Sequence, residues 1–597
     1  MATANFTTIL FLVPLLYLVR RLFNLAWNYL AARKTGLPVL VNPVTVTSPI
    51  WLFGKPLLKR IFASWDWIHR VDNFTQQSKY TPYQKFNSKA YWIVSNREKE
   101  LYVADPVVAE DVYKRCRVEF QKNSTQYEVL EIFGPNVVTT NGKVWERHRK
   151  TTIPPFNERV SETVWDEAAR QAEGARKKWF QVSRKEPRGV RSTQDDTTQI
   201  AFNVLSAAGF GQDFDFDDAE AQLSGVSEAD KKAGHTMSYR ESLVYMLEDI
   251  VSLVMYTVAR TAGWPTWAMW GKIKAMGTAR EEYVLYMREK LQKEREEIRA
   301  GIVATGAKES LMSVLVRNSD SGLLDESASA KAGRGSKSGP VMTDDEILGN
   351  LFVYNLAGHD TTAGALNFAV TLLACEPKWQ EWIAEEIDTI VREDQTGLKY
   401  NVVFPKLHRC LALMYETLRM YGPVPVSPRY TAASWQNVTI DGKQFAIPPH
   451  TDIKLDLAAL HHDPNSWGPD PLNFRPDRWI PSPSQKDVSK QKRADSGHGS
   501  YDYQSESLIA PAPGTFLPWT GGPRVCPGKK FSQVEFTRAI LGMFRDGARV
   551  CIVEKEGEST EQARARVRET ADKPEVQFTL RMTAVEEIGL KWFTKEE

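Results

Sequence analysis

The densest concentration of chemistry in the chain lies on one loop. Trp519-Thr-Gly-Gly522-Pro-Arg524-Val-Cys526-Pro-Gly528 is a Gly-rich turn that delivers one cysteine to the start of a helix predicted from about Lys529 to Phe544. Free N–H groups and the positive end of the helix dipole stabilise a thiolate in such a place, so a depressed Cys526 pKa and an anion ready to bind a metal ion are expected. Gly522 and Gly528 let the backbone approach a flat ligand, and neighbouring N–H groups can hydrogen-bond the sulfur. The other cysteines, Cys116, Cys375, Cys410 and Cys551, are scattered singles that read as small buried hydrophobes. Five dispersed cysteines exclude a disulfide framework or a zinc ribbon and fit a reducing, cytosol-facing compartment.

A second constellation sits in an apolar setting. Thr343-Asp-Asp-Glu346 is a capping box that should open a helix running through Ala374 and closed by Glu376-Pro377. Within it Ala357-Gly358-His359-Asp360-Thr361-Thr362 places an acid and two hydroxyls among apolar residues, which demands a reason. Gly358 would admit a small ligand to the backbone, Thr361 could hydrogen-bond it, and Asp360 could relay protons from solvent. The competing expectation is that Thr361 bonds back to its own helix while Asp360 pairs with a surface base. His359 should face away from Thr361 and serve structure instead of ligation.

Two further pairs accompany these. Glu416-Thr-Leu-Arg419 puts opposite charges on one helix face, followed downstream by Phe474-Arg475-Pro476-Asp477-Arg478-Trp479. Trp145-Glu-Arg-His-Arg149 sets an indole N–H and a guanidinium four residues apart on one side of a helix, where both can reach a carboxylate.

Together these motifs resemble the cytochrome P450 superfamily. Its cysteine-loop pattern, Phe-x-x-Gly-x-Arg-x-Cys-x-Gly, is matched at Gly522, Arg524, Cys526 and Gly528, with Trp519 in place of the phenylalanine. Its Ala/Gly-Gly-x-Asp/Glu-Thr-Thr/Ser pattern is matched throughout. The resemblance covers about Pro38 to the end, whereas Pro448-Pro449-His450-Thr451 departs from the usual Pro-x-Gly-Thr. It implies a haem b cofactor ligated by Cys526, with Trp145, Arg149, Arg429, Arg524 and Gly528 at the cofactor. It also implies catalytic roles for Asp360 and Thr361, and a buried structural network of Glu416, Arg419 and Arg478. The implied activity is a monooxygenase using O2 and NADPH-derived electrons from a separate reductase, since the chain shows no flavin or nicotinamide motif. Lys150, Lys529 and Lys530 are candidate docking charges for that partner. The substrate expected is an apolar small molecule, a terpenoid, polyketide or alkaloid of fungal secondary metabolism. A haem-thiolate isomerase or dehydratase, or a haem-binding sensor without turnover, would have no need of the Asp360-Thr361 pair.

The elements that must position these residues are mostly helical, with small β-sheets: the fold class expected is that of a cytochrome P450 preceded by one N-terminal transmembrane helix. Residues 1–37 read as anchor and linker and 38–597 as one catalytic domain. Phe6 to Val19 is nearly all apolar and is followed by Arg20 and Arg21, which reads as a single-pass anchor with the body in the cytosol; the resemblance implies that the membrane is that of the endoplasmic reticulum. Tyr91–Val94 and Leu101–Val103 should be short strands, and Arg280–Ala300 a helix. Leu243–Ala262 should be one buried or membrane-touching helix. Segments 318–340 and 481–514 are low-complexity and should be mobile surface insertions. The 597 residues carry 76 basic against 74 acidic side chains, a net charge of +2 that suggests no nucleic-acid partner.

Overall fold

The computed structural model describes residues 2–45, 48–71, 74–216, 231, 234–300, 310–317, 319, 342–481, 506–576 and 578–595. The helices that build the site and its surroundings are α1 (Ala2–Arg33), α2 (Gly142–Thr152), α3 (Glu158–Lys185), α4 (Thr193–Phe210), α5 (Tyr239–Glu248), α6 (Ile250–Thr261), α7 (Gly271–Arg299), α8 (Asp344–Cys375), α9 (His408–Met420) and α10 (Lys529–Phe544). Helix α8 begins where the capping box requires: Thr343 Oγ1 accepts from the Glu346 amide, and the Glu346 carboxylate accepts from the Thr343 amide. It is buried along almost its whole length, which is why it carries no polar face. Helix α4 packs along it, and α3 packs against both α4 and α10.

A six-stranded mixed sheet lies beside this helical centre, in the order β1 (Val39–Val41), β2 (Ala90–Val94), β3 (Lys99–Val103), β8 (Asp452–Asp456), β5 (Val426–Thr431) and β4 (Phe120–Gln121). Strands β1 and β2 are parallel, as are β3 and β8, and the other pairs are antiparallel. Three antiparallel pairs complete the strands: β6 (Gln436–Ile440) with β7 (Lys443–Ile447), β9 (Ala548–Ile552) with β12 (Leu590–Thr594), and β10 (Glu575–Val576) with β11 (Leu580–Arg581).

Helix α1 carries the apolar N-terminal run, and its last turns belong to the body. Ala32 is buried with the sheet core, Leu25 and Tyr29 pack against it, and Asn28 Nδ2 donates to Ser95 O at 3.0 Å. Among the described residues no single helix is long and apolar enough to cross a membrane. The apolar stretch expected as one helix over Leu243–Ala262 is two, α5 and α6. Their helical portions Tyr239–Leu247 and Ser252–Thr261 meet at 94°. The break is chemical: Asp249 turns its carboxylate onto the Ser252 amide and hydroxyl, at 3.0 and 2.7 Å, and starts a new helix.

Of the two expected insertions, 320–340 and 482–505 lie outside the described residues. The end of the second is not loose: Glu506 receives Arg409 Nη2 at 2.8 Å, and the Ile509 amide donates to Trp479 O at 2.8 Å. Those bonds close 506–514 onto the protein surface.

Candidate functional site

The cysteine loop is shaped by one position that only glycine fills. Gly522 has φ +61°, and a Cβ there would come within 2.3 Å of Tyr113 O. The turn brings the Cys526 amide onto Trp519 O at 2.9 Å and leaves the sulfur at the mouth of α10, where the Gly528 amide hydrogen-bonds it. Trp519 Nε1 donates to Ser532 Oγ at 3.1 Å, so its ring walls the loop and its N–H is spent away from the sulfur. The expected depressed thiol pKa is not found. Burial raises it above its ordinary value, against the downward pull of the Gly528 amide and of Arg149. A coordinated metal ion would supply the cation that holds such a thiol as the thiolate.

Cys526 is accessible because it forms part of the floor of a cavity of about 340 Å³. Cys526, Pro527 and Gly528 lie below; Val353, Ala357, Gly358, Thr361, Thr362 and Ala365 of α8 line a wall, and Leu205, Phe156 and Val424 add apolar surface. A Cβ on Gly358 would press on Leu205 at 3.0 Å, so glycine keeps the helix close to α4.

Among the described residues, cations that make no ion pair gather at one side of the cavity. Trp145, Arg149 and Arg524 line it. Arg524 lies over the Trp145 ring at 4.4 Å and donates through Nη2 to Thr140 O and Asn141 Oδ1, while its Nε and Nη1 are buried without partners. Burial and the nearby Arg429 bring its pKa down to about 10. Arg429 does not line the cavity. It stands behind, on the Tyr113 ring at 4.9 Å, giving Nη1 to Pro428 O and leaving Nε unpartnered. Lys122 was not anticipated from the sequence. Its ammonium donates to Val138 O at 2.9 Å, covers the Tyr127 ring, and is pushed well below the usual lysine range by burial and then by Arg429 and Arg524. Orphaned guanidinium N–H groups beside a cavity that a cysteine sulfur also lines fit a dicarboxylate metal complex such as haem.

The acid and the hydroxyl of α8 are not aimed together. Thr361 lines the cavity, but its Oγ1 donates to Ala357 O of its own helix at 3.0 Å. Asp360 is buried off the cavity and is held by Arg581, whose Nε donates at 3.0 Å and whose Nη2 makes a second bond, and by the Thr579 hydroxyl. This is the competing arrangement foreseen for the pair. His359 points elsewhere, with Nδ1 at 2.7 Å from Asn355 O and its edge toward Phe202.

Glu416 and Arg419 form a doubly bonded pair with both side chains fully buried. Arg478 Nε, Trp479 Nε1 and the Arg475 amide also donate to the Glu416 carboxylate, at 3.0, 3.0 and 2.8 Å. Trp479 packs against Phe516 with the rings tilted by 54°, and Phe516 and Tyr415 meet Trp519, so the network backs the cysteine loop.

Among the described residues, a buried helical wall faces the accessible Cys526 of the Gly-rich loop, and cations that make no ion pair stand at the cavity side, a lining that fits a haem group. The sequence model of the cytochrome P450 family matches residues 55–546. The chain is 29% identical over 564 residues, 91% of each chain, to a phomenoic acid biosynthesis cluster cytochrome P450 monooxygenase of Leptosphaeria maculans. It is 28% identical over 557 residues, 89% of each, to cytochrome P450 monooxygenase prx9 of Penicillium rubens. The fold is similar to that of the cytochrome P450DA heme domain crystal structure, with TM-score 0.60, 16% identity, and coverage of 94% of this chain and 98% of that one. The chain belongs to the cytochrome P450 family.

Proposed function

We propose that this enzyme is a haem-thiolate monooxygenase that inserts one oxygen atom of O2 into an apolar small molecule of secondary metabolism, with electrons drawn from NADPH through a separate reductase. The supporting observation is the cavity itself: its floor is the one accessible sulfur of the Gly-rich loop, its wall is the Gly358-Thr361 stretch of α8, and the remaining lining is largely apolar. The relative named for a phomenoic acid biosynthesis cluster supports the substrate class. Haem b, held through Cys526, supplies an iron centre whose thiolate ligand favours O–O cleavage.

The chain's own residues do the rest. Arg149, Arg524 and the Trp145 indole hold carboxylates at the cavity side, with Arg429 adding positive field from behind. Gly528 gives its amide to the sulfur and tempers its electron donation. Gly358 keeps α8 against Leu205 at the cavity wall, Thr361 Oγ1 offers a hydroxyl there, and Asp360 brings protons from the protein surface once released from its present partners. Leu205, Phe156 and Val424 exclude water from the substrate volume.

Two surfaces complete the reading. The apolar Phe6–Val19 run of α1, with Arg20 and Arg21 behind it, anchors the enzyme in the endoplasmic reticulum membrane with its body in the cytosol. Lys529 and Lys530, beside the cysteine loop, form part of the reductase landing site together with Lys150. The deciding experiment is the carbon-monoxide difference spectrum of the reduced protein beside Cys526→Ala. A strongly red-shifted Soret band lost in the variant supports thiolate ligation; its absence from folded, haem-loaded wild type rejects it. NADPH and O2 consumption coupled to substrate loss then separates a monooxygenase from an isomerase or a sensor.

A further inference from the structure

A groove of about 580 Å³ lies between the end of α1 and the β6–β7 hairpin, sharing no lining residue with the cavity over Cys526. Both of its walls are fixed to the sheet core. Thr35 Oγ1 accepts from Trp92 Nε1 at 2.9 Å, which ties the end of α1 to β2, and Phe445 of β7 packs against the cluster that holds Trp92 and Leu101. Lys34 and Lys99 line the groove with Trp27 and Trp435, and no carboxylate is among the lining residues. Neither ammonium makes an ion pair or hydrogen bond with a described residue. Both indoles are more than half exposed, a state that suits the boundary layer of a bilayer better than water. The groove also continues an apolar surface. Phe23, Trp27 and Leu30 recur on α1 at i, i+4 and i+7, each more than half exposed, whereas the opposite face, Leu25, Tyr29 and Ala32, packs on the sheet. Apolar surface therefore leads from the Phe6–Val19 run along α1 and ends at two lysines.

We propose that this groove binds one anionic phospholipid, its phosphate between the Lys34 and Lys99 ammoniums, its glycerol at the level of Trp27 and Trp435, and an acyl chain along Leu30, Trp27 and Phe23. The inference rests on the membrane anchoring proposed for α1 and names the class of lipid that the end of α1 selects. A zwitterionic lipid fits less well, because its own cation joins two lysines in a groove with no carboxylate to receive it. Free phosphate meets the lysines but leaves the Phe23–Leu30 stripe uncovered. The bound lipid bridges α1 and the β6–β7 hairpin and so couples the anchor to the catalytic body.

The test uses full-length, haem-loaded protein in detergent, incubated with mixed micelles of phosphatidylcholine and phosphatidylserine and re-isolated, with the retained lipid counted by headgroup. Wild type should keep one phosphatidylserine per chain and prefer it to phosphatidylcholine by about tenfold or more. Lys34→Gln and Lys99→Gln should each weaken retention about fivefold, and the double variant should lose it. Arg20→Gln with Arg33→Gln removes the same charge from α1 outside the groove and should leave the lipid in place. Ala31→Trp fills the groove without changing its charge and should expel the lipid. Inorganic phosphate in large excess should not displace it. No retained phosphatidylserine in wild type, or equal losses in the lysine and arginine doubles, overturns the site. So does unchanged retention in Ala31→Trp, or displacement by phosphate. The anchoring is read separately, by flotation with vesicles of phosphatidylcholine alone: failure to float rejects the anchor, while the micelle experiment still decides the groove. If Ala31→Trp fails to fold, the comparison of the lysine and arginine doubles carries the decision.

Discussion

Replacing Glu416 by Gln isolates the charge at the centre of the network behind the cysteine loop. One carboxylate oxygen accepts from Arg419 Nη2, Arg478 Nε and the Arg475 amide, the other from Arg419 Nε and Trp479 Nε1. Glutamine can serve only one of those sets. In the less damaging orientation its NH2 faces Arg419 Nε and Trp479 Nε1, donor against donor. At least two hydrogen bonds are lost, and the buried Arg419 keeps its Nη2 bond to the amide oxygen and the carbonyls of His461, Pro471 and Asn473. Bonds to charged groups contribute about 1.5–3 kcal/mol each and breaking a buried pair costs about 3–5, so a loss of about 3–6 kcal/mol follows. Against a typical domain stability of about 5–15 kcal/mol that is a large fraction. The assay is urea unfolding of the haem-loaded protein followed by tryptophan fluorescence and by the Soret band, with surface Glu569→Ala as control. Because Trp479 leads through Phe516 to Trp519, the Soret transition should move at least as far as the fluorescence transition. A Glu416→Gln protein within about 1 kcal/mol of wild type, with full haem content, would refute the reasoning.

Gly522→Ala should lose stability by about 1–3 kcal/mol and shed haem, since φ is positive there and the added methyl meets Tyr113 O; urea midpoints and the Soret-to-protein absorbance ratio read both effects. Arg149→Met should fold normally yet release haem to an apomyoglobin trap about tenfold or more faster, the loss of one charge-assisted bond to a carboxylate. Glu346 has a pH signature. Burial pushes its carboxyl up, but the Arg147 hydrogen bond, the Thr343 amide and His148 overcome this and hold it at about 2. A depressed carboxylate contributes stability above its unfolded pKa near 4.5 and loses it as pH falls toward 2. The stability gap between wild type and Glu346→Gln should therefore be full at neutral pH and close between about pH 4.5 and 2. A gap that stays constant across that window would place the effect elsewhere.

Local signals in the sequence carried over well where the chemistry was local. The Thr343 capping box, the helix after Gly528 and the Trp145–Arg149 spacing all rest on residues within a few positions of one another, and each appears where it was expected. Three features escaped because they depend on depth or distance. The thiol of Cys526 is raised, since desolvation in the closed loop exceeds the pull of the Gly528 amide. Lys122 joins the cation cluster only because the fold brings a loop near β4 under Arg524 and Arg429. Asp360 is claimed by Arg581 and Thr579 from the far end of the chain, so the pattern of α8 alone could not say which way the acid faces. The break at Asp249 is a local signal as well: an acid inside an apolar run is placed to cap a new helix.

The loop carrying Phe133 to Val138 has a consequence for how this enzyme can change. Asn350 of α8 accepts from the Val137 amide at 2.9 Å and donates to His148 Nδ1 at 2.9 Å, while His148 Nε2 meets Glu346. A Cβ on Gly349 would lie 2.4 Å from Gly134 O. Loop, α2 and the start of α8 are thus locked into one block that tolerates no remodelling on its own. Leu205, Phe156 and Val424 line the same cavity with aliphatic or aromatic side chains that owe nothing to that lock. Mutant libraries aimed at new substrates should be drawn at those three positions, because there the shape of the cavity can drift while the cofactor-holding helix stays in register.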